Sequence, residues 1–224
     1  AHIEIGREQC GCNDPILLYV SGGNTQVIAR LDGRYRVLGE TLDIGIGNML
    51  DKFARKHGIP FPGGPVIEKK ALEWINNNPN SSLEGLELPY AVHGMDLAFS
   101  GLMTAATKLV NDGKPFEAVC WSLQEHAFAA CIEVAERALA HTGKTEIVLG
   151  GGVACNQRIR DMSSIMCEER GASSHCPPKM YCIDNGTMIA LLGWLELAHG
   201  RRTSLIHSGI DQELRTDQTP IAWP

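Results

Sequence analysis

The feature that most constrains this chain is the pattern of a glycine-tipped β-hairpin in residues 17–28. An apolar, β-rich run meets a four-residue polar turn, and a second β-rich run follows directly, as in two antiparallel strands. Gly22 and Gly23 leave the backbone N–H groups of the turn uncovered. The side chains that add further donors are Ser21, Asn24 and Thr25. The turn suits anion binding, although an ordinary tight hairpin explains the same residues equally well.

A second glycine turn lies far downstream, where the strand pattern of residues 147–149 runs into Gly150, Gly151 and Gly152. A helix pattern follows, with Asn156 at its start. Strand, glycine turn and helix N-terminus often form a phosphate site, yet turning and capping account for the same residues. The P-loop and dinucleotide-binding glycine patterns are absent. Taken together, the two glycine turns predict an α/β fold that grips a nucleotide as actin-like and sugar-kinase-like ATPases do.

Hydrophobic periodicity divides the rest of the chain into a β-meander, a long helical segment and a return to the sheet. Residues 42–142 have mostly helical spacing, so we expect a large helical insert rather than a separately folding domain. Gly45 and Gly47, in the first turns of that segment, predict a close approach by another backbone or a ligand. The other predicted segments are a loop at 7–15, strands at 16–20, 25–30, 35–39, 146–149 and 172–176, a last helix from 184 to 198 and a polar tail at 201–224.

Composition excludes several classes of protein. The net charge of −6 argues against a protein that coats nucleic acid or an anionic membrane by itself. The sequence contains no window of about 18 apolar residues, so no membrane-spanning helix is predicted. The eight cysteines form no CxxC pair, which indicates reduced thiols and a cytosolic setting. Cys10-Gly11-Cys12 suits either a soft metal or a surface loop with two free thiols.

Seven motifs in a fixed order make the chain similar to a known family. They are LYVSGGNTQ (18–26), GETLDIGIGNMLDKFAR (39–55), FPGGP (61–65), MDLAFSG (95–101), SLQE (122–125), GGVACN (151–156) and DNGTMI (184–189). In this order they closely resemble the catalytic subunit of the KEOPS complex. That subunit is the archaeal and eukaryotic member of the universal family that makes threonylcarbamoyl-adenosine in tRNA.

The resemblance implies a two-lobed actin-like ATPase fold, of which residues 1–224 would form the second lobe, while the first lobe would precede Ala1. It implies transfer of a threonylcarbamoyl group from an adenylate to N6 of the adenosine next to the anticodon. The implied partners are tRNA, a small kinase-like subunit and a small dimerising subunit, with no membrane. The implied location is the cytoplasm, or also the nucleus of a eukaryote.

The resemblance also implies the site residues. In the family, the metal is held by two histidines of an HxxxH motif, a tyrosine and an aspartate. Here His2 corresponds to the second histidine, Tyr19 to the tyrosine and Asp184 to the aspartate, and the first histidine would precede Ala1. The implied ion is iron or zinc. The implied substrate contacts are Tyr19, Val20, Ser21, Gly22, Gly23, Asp51, Gly64, Glu68 and Asn156. Asp51 or Glu68 would act as the general base, or would hold the threonyl group or the ribose. From the residues alone, a helix N-cap is the preferred interpretation of Asp184, and the alternatives for Tyr19 and His2 are a core-facing strand residue and a solvated terminus.

The sequence also allows functions other than threonylcarbamoyl transfer. An ATPase or kinase of the same fold is one, although Ser21 stands where such enzymes often have an acidic residue. A scaffold subunit without catalysis is another. A metalloprotease is disfavoured because the chain has no HExxH motif.

Overall fold

The computed structural model describes residues 1–224 and has a five-stranded mixed sheet at its centre, in the order β3-β2-β1-β6-β7. Its strands are β1 (Ile16–Val20), β2 (Thr25–Leu31), β3 (Arg34–Glu40), β6 (Glu146–Gly150) and β7 (Ser173–His175). The first three strands form the predicted antiparallel meander, and β1, β6 and β7 run parallel. A separate two-stranded hairpin consists of β4 (Val92–His93) and β5 (Asp96–Leu97).

Side chains alternate along each strand, so apolar residues lie on both faces of the sheet, and helices cover both faces. In β1, Leu18 faces the larger core, whereas Leu17 and Tyr19 face the smaller one. The helices are α1 (His2–Cys10), α2 (Ile46–Lys56), α3 (Gly64–Asn77), α4 (Ser100–Asn111), α5 (Phe116–Thr142), α6 (Gln157–Glu169), α7 (Lys179–Cys182) and α8 (Gly186–Ala198). None of these helices is long and apolar enough to cross a membrane.

The predicted helical insert contains α2 to α5 and shares its core with the sheet. Helix α5 has the predicted bounds, and Gly143 ends it in the left-handed conformation, at φ 69°, which glycine adopts more readily than other residues. Phe128 on α5 and Leu18 on β1 belong to the same buried cluster. The delimitation of residues 42–142 as an insert stays a prediction.

Helix α1 corrects the prediction of a loop at residues 7–15, since the helix continues to Cys10 and only the residues after it are irregular. The sequence does not predict this helix because the helix is short and has no side-chain cap at its N-terminus. It packs closely against β6, where a Cβ added at Gly6 would lie 2.4 Å from Cγ1 of Val148. Glycine at this position therefore lets the helix lie directly on the sheet.

A buried carboxylate ties α1 to β3. Glu4 is 4% exposed, accepts a hydrogen bond from the hydroxyl of Tyr35 and lies 2.9 Å from Nη1 of Arg7. Burial, together with the charge of Glu4, raises the pKa of Tyr35, which keeps the phenol neutral as a donor. The contact fixes the helix that carries His2.

We expect Tyr35→Phe to lower the free energy of unfolding by about 1.5–3 kcal/mol, because it removes a buried hydrogen bond to a charged group. Urea unfolding measures the change. The matched control is Tyr90→Phe, which removes the same kind of bond, to Glu133, at an exposed position. Equal losses in the two variants would contradict a special role for the buried contact.

Candidate functional site

The hairpin tip between β1 and β2 is closed by its own polar groups. The N–H of Ser21 donates to the carbonyl of Asn24 at 3.0 Å, and the Ser21 hydroxyl donates to the same carbonyl at 2.8 Å. The side chain of Asn24 accepts from the N–H of Thr25 at 2.9 Å. These bonds use the polar side chains of the turn, while Gly22 and Gly23 remain uncovered by side chains of their own.

The start of α2 lies against the backbone of this tip. A Cβ added at Gly45 would lie 2.5 Å from the carbonyl oxygen of Gly22, and one at Gly47 would lie 2.9 Å from the backbone nitrogen of Gly22. The N–H of Gly47 also donates to the carbonyl of Ser21 at 3.0 Å. The prediction of a close approach at these two glycines is thus confirmed, and the partner is backbone.

The second glycine turn meets the same hairpin from the other side. Gly151 has a φ of 90°, and a Cβ there would lie 2.3 Å from the carbonyl oxygen of Val20. Its N–H donates to the carbonyl of Cys182 at 2.8 Å. Because no other residue fits this conformation and this space, glycine sets the distance between β1 and the segment before α8.

Between these turns lies an open cleft of about 380 Å³. Its lining residues are Tyr19, Ser21, Gly22, Gly23, Asn24, Gly151, Gly152, Ile183 and Asp184. The cleft lies at the carboxyl ends of β1 and β6, where ligands of open α/β sheets commonly bind. Four of the sequence-predicted substrate contacts and two predicted metal ligands therefore share one cleft.

The three predicted metal ligands lie close together at this cleft. Nε2 of His2 is 3.0 Å from Oδ1 of Asp184, and the rings of His2 and Tyr19 have centroids 4.7 Å apart. Strand alternation explains the meeting, since Tyr19 faces the side of the sheet that α1 covers. Burial lowers the pKa of His2, against the opposing effect of Asp184, and so favours the neutral imidazole that metals require.

Asp184 does not cap the last helix, and His2 is not a solvated terminus. The cap of α8 is Asn185, whose side chain accepts from the N–H of Met188 at 2.9 Å. Nδ1 of His2 is buried without a hydrogen-bond partner. The two alternatives drawn from the residues alone are therefore wrong for these positions.

Asp51 connects α2 to the start of α3. Its Oδ1 accepts from the N–H of Gly63 at 2.7 Å and from that of Gly64 at 3.2 Å. The other carboxylate oxygen has no hydrogen bond within the chain. Asp51 thus holds the glycine turn in place through one of its two oxygens.

Glu68 and Asn156 meet at the start of α6. Oε1 of Glu68 accepts from the N–H of Gln157 at 2.8 Å. The Asn156 side chain accepts from the N–H of Arg158 at 2.9 Å and donates to Gln124 at 2.8 Å, so it caps the helix while its amide is shared within the protein. A second cleft, of about 420 Å³, adjoins this point. Its lining residues are Glu68, Ala71, Leu72, Ile75, Trp121, Gln124, Glu125, Gln157, Arg158 and Asp161.

The predicted residues therefore fall into two places rather than one. Tyr19 and Asp184 line the first cleft with the hairpin tip, and His2 contacts both of them, whereas Glu68 lines the second cleft. The side chain of Val20 is buried in the core, so only its backbone can face a ligand. Sequence reasoning assigned no role to Gln124, Glu125 or Ile183. The quoted motif SLQE was the available signal for the first two, and Ile183 gave none.

Comparison with known proteins shows that the chain is similar to proteins of tRNA modification. The model of the family TsaD, described as tRNA N6-adenosine threonylcarbamoyltransferase, matches residues 1–191. A probable bifunctional tRNA threonylcarbamoyladenosine biosynthesis protein of Methanocorpusculum labreanum is 52% identical over 223 residues, which are 100% of this chain and 41% of that protein. A tRNA N6-adenosine threonylcarbamoyltransferase of Methanocella arvoryzae is 52% identical over 100% of this chain and 66% of its own length.

A solved structure supports the fold. The activator of the 2-hydroxyisocaproyl-CoA dehydratase from Clostridium difficile matches 89% of this chain and 68% of its own, with a TM-score of 0.51 and 10% identity. The five-stranded sheet with helices on both faces has the actin-like ATPase fold, and the predicted fold class is confirmed.

We expect Gly45→Ala to lower the free energy of unfolding by about 1–3 kcal/mol, because the added methyl group would overlap the backbone of the hairpin tip. The matched control is Gly23→Ala, where an added Cβ meets nothing within 4 Å and the change should stay within about 0.5 kcal/mol. Urea unfolding of both variants measures the difference. An equal effect of the two substitutions would show that the tip tolerates displacement.

Proposed function

Because the chain belongs to the TsaD family of tRNA N6-adenosine threonylcarbamoyltransferases, we propose that it takes part in threonylcarbamoyl transfer to tRNA. In this reaction, N6 of the adenosine next to the anticodon attacks the carbamoyl carbon of threonylcarbamoyl-adenylate. A new N–C bond forms, the C–O bond to the phosphate breaks, and AMP leaves. The proton lost from N6 must pass to a base. The chain spans 41% and 66% of the two relatives described above, so the activity of a whole protein is part of this proposal.

The adenylate would lie between the two glycine turns. The uncovered amides of Gly22 and Gly23 suit its phosphate, and Gly151 and Gly152 line the facing wall. From there the ligand would extend towards the free carboxylate oxygens of Asp51 and Glu68. The second cleft, with its apolar wall beyond Glu68, offers a surface for a flat ring.

His2, Tyr19 and Asp184 would hold one divalent metal ion. Imidazole, phenolate and carboxylate together suit iron or zinc rather than magnesium. The 3.0 Å contact between His2 and Asp184 fits this role, because a cation there would replace the shared proton. A bound ion would supply Lewis acidity at the carbamoyl carbonyl. The chain itself contributes the neutral imidazole and the exposed carboxylate, whose side chain is 87% accessible.

Asp51 and Glu68 are the proposed groups for proton removal from N6 or for holding the threonyl group. Each carboxylate accepts backbone N–H groups through one oxygen, which fixes its orientation. The remaining oxygen of each is free for substrate. Orientation matters here because N6 is a weak nucleophile, so positioning supplies much of the rate.

The substrate tRNA and two KEOPS-type subunits, one kinase-like and one dimerising, are the proposed partners. A cytoplasmic location belongs to the same proposal. The net charge of −6 favours tRNA binding that depends on partners rather than on this chain alone.

The observation that most supports the proposal is the meeting of His2, Tyr19 and Asp184 at the cleft beside the hairpin tip. The test is a transfer assay with threonylcarbamoyl-adenylate, tRNA and the two partner subunits. We expect modified tRNA with the wild-type chain and none with Asp184→Ala. ATP hydrolysis without tRNA modification would favour an ATPase or kinase, and modification unaffected by Asp184→Ala would favour a scaffold.

We also expect Asp184→Ala to abolish iron or zinc binding at the cleft, because it removes the carboxylate among the three ligands. Asn185→Ala is the matched control. It removes the adjacent helix cap, which should lower the free energy of unfolding by about 1 kcal/mol, and it leaves the three proposed ligands in place. Elemental analysis of the two variants after equal purification measures the metal. Retention of the same metal content in both would remove Asp184 from the site.

A further inference from the structure

Three potential metal ligands lie together at the end of the sheet remote from the cleft. Cys12, Glu146 and His175 each offer one ligand atom, and these atoms all lie within 4.8 Å of one another. Glu146 is the first residue of β6 and Gly150 the last. At about 3.3 Å per residue, Glu146 lies roughly 13 Å along the strand from Gly150, and His175, which pairs with Val148, lies roughly 7 Å from it. The cluster is therefore separate from the ligands proposed at the cleft.

The fold brings these residues together from three distant segments. Gly11 ends α1 in the left-handed conformation, at φ 67°, and turns the chain so that Cys12 lies under the sheet. Oε2 of Glu146 accepts from the N–H groups of Asn13 at 3.0 Å and Asp14 at 2.9 Å, which fixes the loop that follows. Strand β7 then places His175 beside β6. The arrangement is therefore set by the end of α1, by the Glu146 carboxylate and by the pairing of β6 with β7.

Each of the three side chains keeps free binding capacity. The thiol of Cys12 is buried, at 8% exposed, and has no hydrogen-bond partner in the chain. Oε1 of Glu146 also has none. Nε2 of His175 lies 2.9 Å from Oγ of Ser173, so the ring has one nitrogen in a hydrogen bond and one free, as metal-bound histidines typically have.

We propose that Cys12, Glu146 and His175 bind a zinc ion, with water as a fourth ligand. Thiolate, imidazole and carboxylate are the ligand types that zinc selects, and tetrahedral bond lengths of about 2.0–2.3 Å bring such atoms to about 3.5 Å from one another. The observed spacing needs only a small contraction. One thiolate and one carboxylate also neutralise the ion, which suits a partly buried site.

The zinc ion would join the loop after α1 to β6 and β7. Since α1 carries His2 at its other end, the site would stabilise the helix that supports the cleft without contacting substrate. It would also give a role to one thiol of the Cys10-Gly11-Cys12 segment. Cys10 and Cys12 are both free thiols, as the loop interpretation predicts, but Cys12 is buried, so its predicted place at the surface is wrong.

The test uses Co²⁺ as a spectroscopic substitute for zinc on the purified chain. A thiolate bound to Co²⁺ gives a charge-transfer absorption in the near ultraviolet, and the ligands proposed at the cleft include no thiolate. We expect this absorption in the wild type and in Asp184→Ala, and its loss in Cys12→Ser. Because a change at a buried cysteine can impair folding, the partly exposed His175→Gln is the second variant, and it should weaken Co²⁺ binding at least tenfold.

The control variants are Cys10→Ser and Cys176→Ser, which remove cysteines outside the proposed site. Both should retain the absorption, and zinc should raise the melting temperature of Asp184→Ala, which lacks the ligand set proposed at the cleft, but not that of the double variant Asp184→Ala/His175→Gln. Absence of the band in the wild type, or an equal band in folded Cys12→Ser, would overturn the proposal. Loss of the band in Cys176→Ser alone would assign the thiolate to a different cluster and would overturn it as well.

Discussion

The structure depends on backbone contacts that only glycine permits around the tip of the β1–β2 hairpin. Gly45 and Gly47 bring the start of α2 against Gly22, and Gly151 brings the turn after β6 against Val20. These contacts leave no room for a methyl group. Two helical regions and the sheet are thereby held at one small loop, and the cleft is the space that remains beside it.

Three polar side chains predicted as substrate contacts also fix the architecture. Asp51 holds the glycine turn before α3, Glu68 holds the first N–H of α6, and Asn156 caps α6. Each contact satisfies a backbone donor that a helix start or a turn leaves without a partner. These contacts orient the carboxylates of Asp51 and Glu68, so binding of the proposed substrate would require little further ordering.

Much of the fold could be predicted from local patterns, and the site could not. The apolar stripe of α5 and its stop at Gly143 gave correct bounds, and the meander strands followed from their turns. Helix α1 was missed because its stability comes from contacts with β6 and β3, which a short window of sequence does not contain. The ligands at the cleft came from the ordered motifs, since neither spacing nor periodicity joins His2 to Asp184. The Cys12 cluster was beyond prediction because three separate segments form it.

The contact between His2 and Asp184 joins residues 182 positions apart. Closing so long a loop is a late event in folding, because the entropy of the intervening chain must first be lost to local structure. During synthesis, which runs from the N-terminus, the β1–β2 hairpin is complete long before Asp184 leaves the ribosome. A nascent chain can therefore form this hairpin and the elements around it before the proposed metal ligands can meet.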